Sequence, residues 1–362
     1  MKLCISRVFM ILILLTGMIY GQGVTTAAIN GKITDAEGAV LIGANVIAEH
    51  TPTGTTYGAS TMKDGYYYIP NMKIGGPYVI RVSYIGYTAQ QNEGVQLFLN
   101  NEASYNFSLQ SESMEMGEVV VTAEHSEINP NRTGAETSTN AELLESLPTI
   151  SRGQKDFTRM TPESDGNSFG GRNNLYNNFS LDGSIFNNPF GLDYAVPGGQ
   201  TEAQPVSLDA IEQVQVSLAP FDVREGGFTG AGVNAVTKSG TNTFKASVYH
   251  YLRSEAMVGT KVGDVETENL DFSTSQSGIS LGGPIIKDKI FFFVNVEAER
   301  RDQLAHNFIA DDGSTGANVT SVNADSIALV QARLRDYWGY EPGAYQGYNH
   351  ETFNNKLLAK ID

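Results

Sequence analysis

The chain has 362 residues, room for two or three domains, with 38 Gly, 17 Tyr, 17 Phe and only 18% charged residues, a composition that suits a β-rich protein outside the cytoplasm. Its formal net charge of −16 excludes nucleic acid as a partner class, which needs a basic face, and reads first as a solubilising surface. The one cysteine, Cys4, precedes the apolar core of the leader, so disulfides, thiolate metal sites and a Cys nucleophile are excluded from the mature chain.

The five histidines (His50, His125, His250, His306, His350) show no metal-ligand spacing, and no metal or cofactor is expected. Residues 1–21 read as a secretory leader: Lys2 and Arg7 give the positive end, and Val8 to Leu15 is an apolar run too short to span a bilayer as a helix. Cleavage is expected after Gly21. With no cysteine beyond the run, a lipid anchor is not expected. No later segment resembles a transmembrane helix, so membrane residence would require a barrel.

Residues 24–110 predict an antiparallel sandwich of about seven short strands. Turn signals recur at Asp35-Ala36-Glu37-Gly38, Pro52-Thr53-Gly54, Lys63-Asp64-Gly65 and Gly75-Gly76-Pro77. Tyr78, Ile80, Val82 and Tyr84 share one face, opposite Val79, Arg81 and Ser83. Ala103, Tyr105, Phe107 and Leu109 alternate with Ser104, Asn106 and Ser108. Residues 111–135 lose this periodicity and read as a linker. Within it, Glu118-Val119-Val120-Val121-Thr122-Ala123 is β-prone with no partner evident in its own neighbourhood. It reads as the last strand of the sandwich or as a peptide that adds to an exposed sheet edge on another protein.

In residues 136–242, Asn140 predicts the cap of a short helix from Ala141 to Leu147, stopped by Pro148. The following stretch to Leu192 is rich in Gly and Asn. Asn173, Asn174, Asn177, Asn178, Asn187 and Asn188 suit tight turns or hydrogen bonds to a polar ligand. An outward apex at Phe186, Phe190 and Tyr194 is implied only by the family resemblance given below. Next comes a strand with Val214, Val216 and Leu218 on one side and Gln213, Gln215 and Ser217 on the other, stopped by Ala219-Pro220. A corner with Gly226, Gly227, Gly230 and Gly232 leads into a second strand through Val233, Ala235 and Thr237.

From 243 the pattern changes. In Ile290 to Arg300, Ile290, Phe292, Val294, Val296 and Ala298 make a continuous apolar face. Opposite them, Phe291 and Phe293 give way to Asn295, Glu297 and Glu299. A lipid-facing stripe opposite a polar lumen has this form. Ser277 to Leu281 predicts the strand before it, joined through a tight turn at Gly282 to Lys289. Arg301 to Asn354 predicts a long external loop holding one helix, capped by Asn323, with Ile327, Val330 and Leu334 on a shared face. A tail with Trp338, Tyr340, Tyr345 and Tyr348 suits stacking on a ligand or packing of the loop on itself. Lys356 to Asp362 opens another strand. About four strands result, whereas a closed barrel needs at least about eight, so an N-terminal fragment of a larger protein is expected.

Several of these stretches resemble TonB-dependent outer-membrane receptors, most closely the Oar-like branch with a carboxypeptidase-regulatory-like domain in front. Gly31-Lys32-Ile33-Thr34-Asp35, Gly43-Ala44-Asn45-Val46 and Asp64-Gly65-Tyr66-Tyr67 resemble that transthyretin-like domain. Ser180-Leu181-Asp182-Gly183, Ser207 to Val216 and Gly230 to Lys238 resemble the plug. Gly282 to Phe293 resembles an Oar-like hairpin. Two departures stand out: Leu218-Ala219-Pro220 where many members have Arg-Gly-Pro, a change the Oar-like branch tolerates, and Gly171-Arg172 where many have Arg-Gly. The resemblance implies a mainly β chain: a transthyretin-like/Ig-like β-sandwich, an α+β plug, and the first strands of an incomplete transmembrane β-barrel, of about 22 strands when complete.

The resemblance further implies that Glu118 to Ala123 is a TonB box. Arg172, Asp182, Gly183, Gly226, Gly227, Gly230 and Gly232 become plug motif residues, and Asn187, Asn188, Trp338, Tyr340 and Tyr345 become candidate ligand contacts. Implied partners are TonB of the inner-membrane energy-coupling complex, outer-membrane lipid, an external small or oligomeric ligand and a surface lipoprotein. The implied location is the outer membrane with the sandwich in the periplasm, and no covalent chemistry is implied. The rival readings are a non-transporting outer-membrane adhesion or structural protein and a secreted carbohydrate-binding β-protein.

Overall fold

The structure, a computed structural model, describes residues 25–111, 119–122, 135–149, 152–188, 203–220, 225–266, 271–316 and 318–362. The predicted leader and most of the linker lie outside these. Contact density divides the chain into two compact units: Met1–Ala246 with Ser280–Val294 and Leu358–Asp362, and Ser247–Ile279 with Asn295–Leu357. Among the described residues no helix is long and apolar enough to cross a membrane.

Eight strands, one more than expected, build the sandwich: β1 (Thr26–Asp35), β2 (Asn45–His50), β3 (Thr55–Ser60), β4 (Tyr66–Lys73), β5 (Gly75–Ser83), β6 (Gln90–Leu97), β7 (Glu102–Ser104) and β8 (Phe107–Leu109). With β9 (Val119–Thr122), one sheet runs β3-β2-β5-β6-β9, and the other runs β4-β1-β7 with β8 also on β1. The period-2 pattern sets the register. Val46 pairs Val82, Ala48 pairs Ile80 and His50 pairs Tyr78, and all six side chains are buried. Burial of this one face is what fixes the pairing, because a one-residue slip would turn all of them outward.

The strand expected from Ala103 to Leu109 is broken in two. The Tyr105 carbonyl sits where a side chain on Gly31 would be. Tyr105 N–H donates to the Asn30 carbonyl (2.8 Å), and the Lys32 N–H donates to Asn106 Oδ1 (2.8 Å) instead of to a backbone acceptor. The Tyr67 hydroxyl caps the Tyr105 carbonyl at 2.7 Å.

His50 closes one end of this core. Its ring packs 4.8 Å from that of Tyr78, and its Nδ1 lies 2.6 Å from Thr53 Oγ1. Burial, helped by Lys73, lowers its pKa from 6.5 to about 4. The unfolded chain therefore takes up the proton first. The contribution of neutral His50 is complete above pH 6.5, is lost as pH falls from 6.5 toward 4, and levels off below that. Urea midpoints of an excised 24–111 domain should fall across this window. A His50→Gln variant should lose that part of the pH slope, and an unchanged slope would refute the assignment.

In the stretch expected to be the plug, the strands are β10 (Glu136–Asn140), β11 (Asn178–Leu181), β12 (Ser184–Ile185), β13 (Ile211–Ser217) and β14 (Gly232–Thr237), in sheet order β10-β13-β14-β11-β12. Helix α1 (Ala141–Ser146) is capped as expected, with Asn140 Oδ1 accepting from Leu143 N–H at 3.0 Å. Helix α2 (Gln154–Thr158) follows. Leu144, Phe157, Phe169 and Phe179 form the plug core with Val214, Val216, Val233 and Ala235. The polar face of β13 is also buried: Gln213, Gln215 and Ser217 are all under 4% exposed.

The remaining strands are β15 (Lys245–Ser254), β16 (Lys261–Val262), β17 (Val265–Glu266), β18 (Phe272–Ile286), β19 (Ile290–Leu304), β20 (Ile309–Asp311), β21 (Val319–Asn323) and β22 (Asn349–Ile361), with helix α3 (Ala324–Trp338) before the last. Sheet order β15-β18-β19-β22 makes a four-stranded wall. Its two 15-residue strands, β18 and β19, exceed the roughly 9–11 residues needed to cross a bilayer. Along β19 burial alternates as expected, with Phe291, Phe293, Asn295, Glu297 and Glu299 buried and Val296 exposed.

Three expectations are corrected here. Gly282 to Ile286 belongs to β18, so the turn is only Lys287-Asp288-Lys289, with Asp288 supplying the left-handed residue (φ 62°). Gly283 is glycine because the Phe244 ring occupies the space of a side chain there. The external loop shortens to 305–348, since β19 runs on to Leu304 and β22 begins at Asn349. Finally, α3 is capped by Asn323 as expected (Ser326 N–H to Oδ1, 3.0 Å), but none of its residues is buried, Val330 included.

Candidate coupling site and barrel wall

Val119 to Thr122 of the predicted box form β9, the edge strand of the larger sandwich sheet. It pairs in parallel with β6: Val119 with Gln90, Val120 with Gln91, Val121 with Asn92 and Thr122 with Glu93. The partner that the sequence did not reveal is thus a strand of the preceding domain. Glu118 and Ala123 lie outside the described residues.

Three further features join the sandwich to residues 203–242 of the same unit. The Gln213 side chain, 2% exposed, accepts from Leu99 N–H at 2.9 Å and donates to the Leu97 carbonyl at 3.0 Å. Asn100 Nδ2 donates to Glu225 Oε1 at 2.9 Å, and Val236 of β14 packs into the sandwich core. None of these contacts was legible beforehand. A glutamine on a strand reads as a solvent-facing residue, and only the absence of an exposed face on β13 makes it otherwise.

Asp182 and Gly183 form the turn between β11 and β12, both with positive φ (48° and 80°), as a two-residue hairpin requires. The Asp182 carboxylate accepts from Thr237 N–H (2.9 Å) and Thr237 Oγ1 (2.6 Å), and Lys360 Nζ of β22 lies 3.7 Å away. Lys360 also donates to the Thr237 carbonyl at 3.2 Å. Nearby, Lys73 is 3.8 Å from Asp362. Burial holds the Glu212 carboxyl above its usual range, opposed by Lys238, Lys245, Lys73 and Lys360, and burial likewise lowers the Lys73 ammonium.

The other predicted site residues are dispersed. Arg172 is exposed, in a turn closed by its N–H on the Phe169 carbonyl (3.1 Å). In the glycine corner, Gly226 offers its carbonyl to Asn178 Nδ2 at 3.2 Å, Gly227 has φ 78°, the Gly230 N–H donates to the Tyr176 carbonyl, and Gly232 opens β14. Asn187 Oδ1 accepts from Phe179 N–H at 2.7 Å, and its Nδ2 donates to Asn178 Oδ1 at 2.8 Å; Asn188 is half-buried. Trp338, Tyr340 and Tyr345 are exposed beyond and at the end of α3. Phe190 and Tyr194 lie outside the described residues. Arg152, Phe157, Phe179, Gln204 and Ile211 help line a plug cavity of about 10 Å³, room for about one water.

The wall carries a second constellation. Glu297 on β19 accepts from Gln276 Nε2 of β18 (2.9 Å), from the Tyr249 hydroxyl of β15 and from Lys356 Nζ of β22 (2.5 Å). Lys356 lies also 3.4 Å from Glu299, which accepts from Asn354 Nδ2 at 3.2 Å. One buried carboxylate therefore ties all four wall strands together. The sequence offered both carboxylates on the polar face of β19, but their partner stands 59 residues further on.

Comparison with known proteins gives these features a context. Residues 28–110 match the family described as carboxypeptidase regulatory-like domain, and residues 236–321 match the family described as outer membrane beta barrel domain. The chain is 26% identical over 307 residues to the TonB-dependent transporter Oar of Myxococcus xanthus, covering 76% of this chain. It spans about a quarter, 27%, of that relative's length. Among solved structures, the outer membrane transporter YddB of Escherichia coli is similar at 13% identity and TM-score 0.41, over 63% of this chain and 30% of that one. The siderophore receptor PirA of Acinetobacter baumannii is similar at 19% identity and TM-score 0.34, over 46% and 24%.

Proposed function

We propose that this chain, an outer-membrane protein that belongs with the TonB-dependent receptors of Oar-like domain order, serves energy-coupled uptake of an external ligand across the outer membrane. The order that supports this reading is a leader (1–21), a periplasmic regulatory-like sandwich (24–110), a linker with the TonB box (111–135), a plug (136–242) and the first barrel strands (243–362). TonB of the inner-membrane energy-coupling complex pairs with the box and pulls. The ligand, a glycan, peptide or chelate, meets the outer face, where Asn187, Asn188, Trp338, Tyr340 and Tyr345 are the proposed contacts. A surface lipoprotein is a further proposed partner. No covalent step is assigned to any residue.

The observation that carries the reading is β9. A short apolar segment between the two matched domains stands at the end of a sheet, where backbone pairing can be extended by another chain. Replacing Val120 with Pro removes a backbone donor from that strand. In the full-length receptor this variant is expected to bind the soluble periplasmic domain of TonB about tenfold or more weakly, the effect of losing roughly 1.4 kcal/mol of pairing. Equal affinity of both proteins would remove the box assignment. If neither bound TonB, a surface protein without energy coupling would be favoured instead.

A further inference from the structure

We propose that the end of β6 is the surface by which the regulatory-like sandwich is fastened to the plug, and that β6 acts as a mechanical relay between the box and the central plug strand. This inference rests on the uptake reading above, since it concerns the route taken by a pull on the box.

Three observations converge on β6. Its first half, Gln90 to Glu93, is paired with box residues Val119 to Thr122. Just beyond its far end, the Gln213 carboxamide binds the Leu97 carbonyl and the Leu99 N–H together. A carbonyl and an N–H two residues apart are what a neighbouring parallel strand engages, so this side chain takes the place of one residue of an added strand. Leu97 and Leu99 are buried, as is Gln213, so losing the amide would strand two backbone groups away from water.

On the plug side, Gln213 belongs to β13, which lies between β10 and β14. It stands opposite Asn140 on β10 and Val236 on β14. The covalent route from box to plug enters instead at β10, the edge strand. A pull along β9 loads the parallel β9–β6 ladder in shear, with its bonds sharing the load. Force then reaches β13 in the middle of the plug sheet through Gln213, rather than peeling β10 from its edge. The Asn100–Glu225 hydrogen bond and the packing of Val236 hold the two domains in register around this point.

The test pulls on full-length receptor through a bound, soluble TonB domain and reads the rate of the first plug-opening step at fixed load. Gln213→Met keeps the size of the side chain and removes both hydrogen bonds. TonB affinity is expected to stay within about twofold, while the opening rate rises about tenfold or more, as two lost hydrogen bonds predict. An unchanged opening rate with unchanged affinity would overturn the relay and leave the uptake reading standing. Failure of the unmodified receptor to bind TonB would overturn both. Should the Met variant not fold, Gln213→Asn, whose carboxamide is one methylene short of the Leu97 carbonyl and the Leu99 N–H, carries the same expectation.

Discussion

Glu297→Ala is expected to destabilise the barrel wall by about 3–5 kcal/mol, the usual result of removing one partner of a buried charge pair. The Glu297 carboxylate is 1% exposed and is shared by Lys356, Gln276 and the Tyr249 hydroxyl. Its loss leaves the Lys356 ammonium, itself 8% exposed, with Glu299 at 3.4 Å as the remaining carboxylate in contact. The cost is mostly that of the stranded charge rather than the worth of the bond. The double variant Glu297→Gln with Lys356→Met, which removes both charges at similar volume, should therefore cost well under the sum of the single changes, with a coupling of roughly 1–3 kcal/mol. Heat-modifiable migration and urea unfolding of the protein in detergent would measure both. A single change costing less than about 0.5 kcal/mol would mean the pair is screened like a surface ion pair.

This network also shows where the sequence stops being informative. The alternation in Ile290 to Arg300 is visible because one face must meet lipid and the other must not, and the strand carries that pattern by itself. The same holds for β2 and β5 in the sandwich, for the Asn140 and Asn323 caps, and for Asp182-Gly183, since each signal lies within a few residues of its effect. The missed features depend on residues far away. Gly-Gly-Pro at 282–284 reads as a turn locally, yet the space around Gly283 is set by Phe244, and the turn falls at Asp288. The break at Tyr105 is caused by Gly31 across the sheet. Gln213 is a coupling residue only because Leu97 and Leu99, over a hundred positions earlier, present their backbone to it. For β9 the structure shows one of the two readings, the last strand of a sandwich sheet; the other, a peptide that adds to another protein, is the proposal made above. The apolar stripe of α3 predicted a covered face, and the chain supplies no cover among its described residues.

Tyr78→Ala should unfold the sandwich or leave it marginal. Large-to-small aromatic substitution in a core costs about 3–5 kcal/mol, and a domain of this size holds roughly 4–13 kcal/mol in all at the usual stability per residue. The site gives little room to collapse. The Tyr78 ring is fully buried, lies 4.8 Å from His50 and 6.3 Å from Tyr57, and stands opposite His50 in the β2–β5 ladder. Its hydroxyl donates to the Lys73 carbonyl at 2.7 Å at the end of β4, so the side chain joins strands of both sheets. Tyr78→Phe separates the two contributions: it keeps the ring and loses only the hydrogen bond, for about 1 kcal/mol. Urea midpoints of the excised 24–111 domain at pH 7, with the His50 proton absent, provide the comparison. The Ala variant should shift the midpoint several times further than the Phe variant. Equal shifts would mean that the hydroxyl, and not the packed ring between the sheets, holds this end of the sandwich closed.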